Sequence, residues 1–300
     1  MPELSLRARI ITDLVSAFNR SKKMERKVED SDYGVSEIDK SFEYPEYYDA
    51  SIIDMGKFKM EALRRNNVAN KWVILQLHGG GYVYPFRNIY RTMAGLYSEA
   101  GRGAAVVSVD YRVAPENPYP AAVEDALEAY MSLLSAGYLA ENIILAGDSA
   151  GGGLCMALCH RLRKLGMPFP AGIIAMSPWT DLALTGPSYK ENFDRDPVFG
   201  NSRAETIFDN PYAKDEELKN PEVSPLYGDF KGFPPTLIQV GSEEMLLSDS
   251  LSVADKLREA GVKLRFTEYE GMFHVFQMAG TIMQESKQAW AEVKRFLEEI

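Results

Sequence analysis

The sequence predicts an α/β protein built on a mostly parallel central sheet with helices on both faces. Two observations carry this. Short apolar runs recur at 72–77, 104–109, 143–146, 172–176 and 236–240, with a further candidate at 263–269. Segments of helical patterning alternate with them at 89–99, 121–134, 154–165, 251–260 and 283–299. A third observation says where the chemistry belongs. Ligands meet such a sheet at the carboxyl ends of its strands. The unusual residues follow those ends: HGGG (78–81) after the first run, then Asp110, Ser149, Glu243 and Glu244.

In chain order, residues 4–29 carry apolar side chains at helical spacing, Leu6, Ile10, Leu14 and Phe18, which predicts one or two amphipathic helices. That stripe must rest on something, a pocket or ordinary packing. Lys22, Lys23, Arg26 and Lys27 read as the polar face of a helix. The Tyr-rich stretch at 42–50 resists classification, and the main domain opens with the strand at 72–77. The rhythm breaks at 180–232, which is polar, Pro-rich and too long for an ordinary connection. It is expected to place helices over the sheet and to form a cap with the N-terminal helices. The expected division is 1–50 as the N-terminal part of the cap, 51–182 as the first part of the core, 183–225 as the inserted cap segment and 226–300 as the second part of the core.

Composition narrows the class. With 300 residues, 46% apolar and 25% charged, the chain has the makeup of a soluble globular protein. A net charge of −10 opposes nucleic-acid binding. Cys155 and Cys159, four apart in a helical stretch, read as buried structural thiols, and three scattered histidines suggest no metal motif. The first ten residues lack the apolar core of a secretory signal, and no run of eighteen apolar residues offers a membrane span. The expectation is a cytoplasmic protein with no metal, cofactor, nucleic-acid partner or membrane span.

The stretch GDSAGGG (147–153) sits between an apolar strand and a helix. Its glycines permit a cramped strand–turn–helix bend that presents Ser149. A neutral hydroxyl needs a base. His160, eleven residues into the following helix, points away from the active end and reads as a solvent-facing residue. His78 sits among glycines, which suggests another task. His274, in YEGMFHVF (269–276), follows the last candidate strand and is the expected base. The base needs an orienting carboxylate. The stretch after Val240 offers Glu243, Glu244 and Asp249. Asp249 fits a helix cap better, and the adjacent glutamates are not separated by this reasoning. The developing oxyanion needs donors in place. Gly80, Gly81 and Ala150 can supply backbone N–H groups. No phosphate-loop pattern is present.

Five blocks in this order resemble the hormone-sensitive lipase family of α/β-hydrolases, in its bacterial esterase branch: HGGGY (78–82), YRVAPENPYPAAVED (111–125), GDSAGG (147–152), SPWTDL (177–182) and YEGMFHVF (269–276). The resemblance runs from about residue 40 to the C-terminus. It implies the α/β-hydrolase fold with a helical cap, Ser149 as nucleophile, His274 as base, and Gly80, Gly81 and Ala150 as the oxyanion hole. The family acid is usually aspartate in a D-P-L-x-D stretch thirty residues before the histidine. Here that position is Glu244, followed by Met245 rather than proline. The resemblance further implies loop-bracing roles for His78, Asp148, Tyr111, Arg112, Glu116 and Asp125, and structural roles for Trp179 and Asp181.

The activity implied is that of a carboxylesterase that hydrolyses short-chain esters through an acyl-enzyme, without cofactor. Tyr82, Tyr84 and Phe86 after the glycine loop, with Phe193, Phe199, Ile207 and Phe208 from the cap, are the candidates for the pocket wall; cap core is the competing role. Alternatives are an amide or N-acetyl hydrolase using the same residues, or a noncatalytic binding protein of this fold. Related esterases often dimerise through the last strand and helix, so a homodimer is also an expectation.

Overall fold

The computed structural model describes residues 4–21, 33–200, 205–213 and 218–300. The basic group Lys22, Lys23, Arg26 and Lys27 therefore lies outside the described residues. Eight strands form one sheet in the order β1-β2-β4-β3-β5-β6-β7-β8. They are β1 (Tyr48–Asp54), β2 (Lys59–Arg65), β3 (Val73–Leu77), β4 (Ala105–Asp110), β5 (Ile143–Asp148), β6 (Gly172–Met176), β7 (Thr236–Gly241) and β8 (Leu264–Tyr269). Strands β3 to β8 run parallel to their neighbours, while β1–β2 and β2–β4 are antiparallel. Every residue of β3, β5, β6 and β7 is buried, as strands covered on both faces require.

The helices among the described residues are α1 (Leu6–Asn19), α2 (Asn88–Ala100), α3 (Ala121–Ser135), α4 (Ser149–Lys164), α5 (Ser188–Glu191), α6 (Glu205–Phe208), α7 (Leu247–Glu259) and α8 (Gln284–Glu299). One core layer packs α3, α4 and α7 against the sheet through residues such as Tyr130, Leu154, Leu158 and Val253. The other packs α2 and α8 through Met93, Tyr97, Val293 and Phe296. Each fully buried aliphatic side chain there is worth about 1.5–3 kcal/mol relative to exposure.

Three departures from expectation have local causes. The Tyr-rich stretch leads into the β1–β2 hairpin, so β1 straddles the expected boundary at residue 50. Six of the seven β1 residues are exposed, leaving no apolar run to mark it. Helix α4 begins at Ser149 rather than near residue 154, because the glycines after the serine are already helical. Among the described residues, the region at 180–232 holds short elements, α5, α6 and 3₁₀ turns at Pro211–Ala213 and Pro225–Tyr227. Among the described residues, no helix is long and apolar enough to cross a membrane.

Candidate active site

Ser149 lies at the junction of β5 and α4 with φ +50°, a left-handed conformation forced on a residue with a side chain. The bend demands close backbone approach. A Cβ on Gly151 would lie 2.0 Å from the Leu77 carbonyl oxygen, so only glycine fits there. The helix also brings its free N-terminal amides to this point, including that of Ala150.

The loop after β3 runs through Gly80 (φ +107°) and Gly81 (φ +60°). The amides of Val83 and Tyr84 donate back to the Gly80 carbonyl and close the turn. Among the described residues, no acceptor takes the Gly80 or Gly81 amide. His78 Nδ1 donates to the Gly79 carbonyl at 2.7 Å. The Tyr111 hydroxyl donates to the His78 carbonyl at 2.6 Å, and the two rings stack at 4.0 Å. Burial pushes His78 down to about 4, so it is neutral and braces the loop. Asp148 Oδ1 accepts the Gly79 amide at 3.2 Å, and burial pushes its carboxyl up to about 7. Behind the loop, Asp125 receives both the backbone amide and the guanidinium of Arg112, at 2.8 and 2.7 Å. Glu116 is exposed and has no such contact among the described residues.

Three carboxylates follow β7, and they have separate partners. Glu244 is wholly buried. His274 Nδ1 donates to its Oε2 at 2.7 Å, while Oε1 accepts the Ser177 hydroxyl at 2.7 Å and the Gly241 amide at 2.5 Å. Glu243 instead pairs with Arg195 at the surface, Nε to Oε2 at 2.7 Å. Asp249 lies within the first turn of α7, where Leu246 occupies the N-cap. It caps another segment: its carboxylate accepts the Thr180 and Asp181 amides, each at 2.8 Å, and the Tyr189 hydroxyl.

His160 is not solvent-facing. Its ring is buried against Phe230 and Phe233, and Nε2 donates to the Pro225 carbonyl at 3.2 Å. The chain after the cap folds back over this face of α4. Trp179 and Asp181 are both buried. Cys155 and Cys159 are buried free thiols.

Ser149, His274, Gly80 and Gly81 line one cavity of about 630 Å³. Ser149 and His274 share no hydrogen bond here; such contacts commonly tighten on substrate binding. Of the expected wall residues, Tyr84 and Phe199 line this cavity. Tyr82 does not: its buried ring stacks on Tyr212 with centroids 3.8 Å apart. Phe86 is in the core beneath α2 and Ile207 in the core on the opposite layer. Phe193 packs on that core from a half-buried position, and Phe208 is exposed. Tyr90, Val198, Phe273, Val275 and Met278 form the wall instead, with α1 contributing Ile11, Leu14, Val15 and Phe18.

Sequence reasoning missed three positioning side chains. Ser177 follows the end of β6 and joins Glu244 to the Val275 amide, which donates to its hydroxyl at 3.1 Å. Its place after a strand end was the available signal. Asp196, fully buried, accepts the Met245 amide at 2.8 Å and the Val198 amide at 2.7 Å. It thereby ties the acid loop to the wall residue Phe199, whose ring lies 4.6 Å from that of His274. Asn210 donates to the Gly81 carbonyl at 2.8 Å. Neither Asp196 nor Asn210 carries a local motif that marks it.

Residues 74–278 match the family model described as the alpha/beta hydrolase fold. An esterase of Acinetobacter venetianus is 38% identical over 225 residues, covering 75% of this chain and 74% of that protein. An acetyl-hydrolase of Streptomyces hygroscopicus is 38% identical over 224 residues, covering 75% and 74%. Among solved structures, an esterase from the bacterial hormone-sensitive lipase family superposes with a TM-score of 0.86 at 33% identity, covering 100% of this chain and 99% of that one. Another, soaked with p-nitrophenyl butyrate, gives 0.86 at 32% identity over 98% of each chain. The chain belongs to the α/β-hydrolase fold family, in its bacterial hormone-sensitive lipase branch. It is a serine-hydrolase-type esterase acting on carboxylic esters.

Proposed function

We propose that the enzyme hydrolyses short-chain esters with Ser149 as nucleophile, His274 as general base and Glu244 as the orienting acid. The observation that carries this is the His274 Nδ1–Glu244 Oε2 contact of 2.7 Å beside a cavity that Ser149 also lines. With Nδ1 occupied, Nε2 is the nitrogen left to take a proton. Ser149 Oγ attacks the ester carbonyl carbon and its proton passes to His274 Nε2. The carbonyl electrons move onto oxygen, facing the amides of Gly80, Gly81 and Ala150. Collapse expels the alcohol, which leaves with the proton from His274. Water repeats the sequence on the acyl-enzyme and frees the acid. The base works only when neutral, so activity falls at acid pH.

A largely apolar wall supports an acyl group of modest size, and the relatives named an acetyl-hydrolase and soaked with a butyrate ester point the same way. The same proposal assigns residues 1–50 and 183–225 to the cap, and a cytoplasmic setting, which cell fractionation tests. Hydrolysis of p-nitrophenyl esters from acetate to palmitate tests the main reading. A short-chain optimum, abolished in Ser149→Ala, is expected. Inactivity on all esters with turnover of anilides would transfer the site to amides.

A further inference from the structure

Residues 192–200, within the long region after β6, touch both the carboxylate turn after β7 and the catalytic cavity. The Asn192 carbonyl accepts the Arg195 and Asp196 amides at 3.0 and 2.8 Å, which winds the chain into a turn. Residues four apart on such a turn share a side. Asn192 and Asp196 do so, and both are buried. The Gly200 amide returns to the Asp196 carbonyl at 3.1 Å, and a Cβ on Gly200 would run into the carbonyls of Phe193 and Asp196. The segment is a closed, tightly folded loop. It holds the turn around Glu244 almost residue by residue. Asn192 Nδ2 donates to the Ser242 and Glu244 carbonyls at 3.0 and 2.8 Å. Arg195 reaches the Glu243 carboxylate at the surface. Asp196 Oδ2 accepts the Met245 amide at 2.8 Å.

The turn's own bonds are longer. The Glu244 amide lies 3.4 Å from the Gly241 carbonyl, and the Leu247 amide 3.2 Å from that of Glu244. Backbone bonds of full strength lie near about 2.9–3.0 Å. The short bonds that flank the Glu244 side chain therefore come from the loop. A proline at 245, where the family resemblance leads one to expect it, has no N–H to give. The Asp196 bond exists because this chain has methionine there. The other oxygen of Asp196 sets the cavity wall. Oδ1 accepts the Val198 and Phe199 amides at 2.7 and 3.1 Å. Both residues line the cavity, and the Phe199 ring lies against that of His274. One buried carboxylate thus fixes the residue after Glu244 and a residue packed on His274. Those are the two groups that must stay in register for their 2.7 Å contact. Neither Asn192 nor Asp196 lines the cavity, so neither is placed to touch substrate.

We propose that Asn192 and Asp196 are positioning residues for ester hydrolysis and act through Glu244, holding its carboxylate where His274 Nδ1 meets it. The proposal rests on the reading of Ser149, His274 and Glu244 as the catalytic residues. The test is a double-mutant cycle on the full chain with p-nitrophenyl butyrate. In D196N a single oxygen faces three amides that two oxygens serve now, and an N–H is turned toward at least one of them. D196N and N192A are each expected to lower kcat roughly 10- to 100-fold, with KM within about threefold of wild type. In the Glu244→Gln background the same two changes are expected to alter kcat by no more than about twofold, because a group that acts only on Glu244 has nothing left to place. A side chain that merely supports the fold would lower that residual rate as well. Thermal unfolding shows which variants are folded at the assay temperature. Where D196N is not, N192A decides. Wild-type kcat in the folded single variants, a change confined to KM, or a loss of the same size in the Glu244→Gln background overturns the proposal and leaves the catalytic reading standing. Wild-type kcat in Glu244→Gln itself overturns the catalytic reading and this proposal with it, so the two failures are told apart.

Discussion

Exchanging Glu244 for glutamine is the most discriminating perturbation of the site, when set beside the same exchange at Glu243. Three donors converge on the Glu244 carboxylate: His274 Nδ1, the Ser177 hydroxyl and the Gly241 amide. A carboxylate accepts all three, whereas glutamine has one oxygen and must aim an amide N–H at one of them. If the N–H meets His274, the imidazole takes the tautomer with its proton on Nε2, and that nitrogen no longer accepts the Ser149 proton. If it turns the other way, two buried donors lose their acceptor. In the protease triad an equivalent acid-to-amide change lowers kcat about 10⁴-fold, or about 5.5 kcal/mol at 1.36 kcal/mol per decade. Glu243→Gln removes the Arg195 pair, whose arginine is 56% exposed, and touches one further contact, the Ser242 hydroxyl at 3.2 Å. Such a pair is worth at most about 1 kcal/mol, and it lies away from the cavity wall. The expected result with p-nitrophenyl butyrate is a fall of about 10³–10⁴ in kcat for Glu244→Gln and a change within about fivefold for Glu243→Gln. Both variants should unfold cooperatively. Glu244→Gln within tenfold of wild type, with Glu243→Gln far below it, would refute the assignment.

Ser177→Ala removes one hydrogen bond to the buried carboxylate and the acceptor of the Val275 amide; at about 1.5–3 kcal/mol for a bond to a charged group, kcat should fall roughly 10- to 100-fold, with an unchanged pH profile counting against the role. Gly151→Ala forces a Cβ to within 2.0 Å of the Leu77 oxygen, so the elbow must shift; soluble, fully active G151A protein would show the approach to be looser than described. Burial lowers His78 and His160 to about 4 and raises Asp148 to about 7 and Asp249 to about 8, so above the ordinary histidine value of 6.5 the proton uptake of the two folded acids outweighs that of the two unfolded histidines. The folded chain then holds protons the unfolded chain has released, and stability falls as pH rises from 6.5 toward 8, by up to about 1.4 kcal/mol per unit per group; thermal unfolding should show this fall, reduced in Asp249→Asn, and a rise instead would refute it. The homodimer expectation has its structural counterpart in β8, which ends the strand order; a sedimentation equilibrium mass of one chain would remove it.

The parts of the site readable from sequence are those fixed by local chain geometry. A serine between glycines after an apolar strand has few conformations open to it, and the close approach of Gly151 to the β3 end enforces one of them. His274, the proposed base, was readable because it follows a strand end. Its carboxylate partner was not, because Glu243 and Glu244 are adjacent on a turn, where one residue of shift exchanges the core for the surface. Their partners, Arg195 and His274, are 48 and 30 residues away. Spacing alone could not weigh these, and family resemblance supplied the choice. The β1–β2 hairpin escaped for a different reason: an edge strand with one face in water and few buried side chains leaves no apolar run.

The aromatic residues and α1 share a deeper limit. Periodicity reports that a helix has an apolar stripe, and composition reports that a loop has aromatics. Neither reports which neighbour is opposite. Tyr82 and Tyr84 are two residues apart, yet the first stacks on Tyr212 in the core and the second lines the cavity. Gly80 and Gly81 turn the chain just before them, and the Gly81 carbonyl accepts a hydrogen bond from Asn210, more than a hundred residues later. In α1 the inward face is made by Ala8, Ile11 and Val15, modest side chains that fit against Met272 and Phe273. The larger stripe is left outward at the cavity mouth. A helix held only for packing would bury its larger residues. This one does the reverse because its inward face is set by Met272 and Phe273, far along the chain, which spacing within the helix does not report.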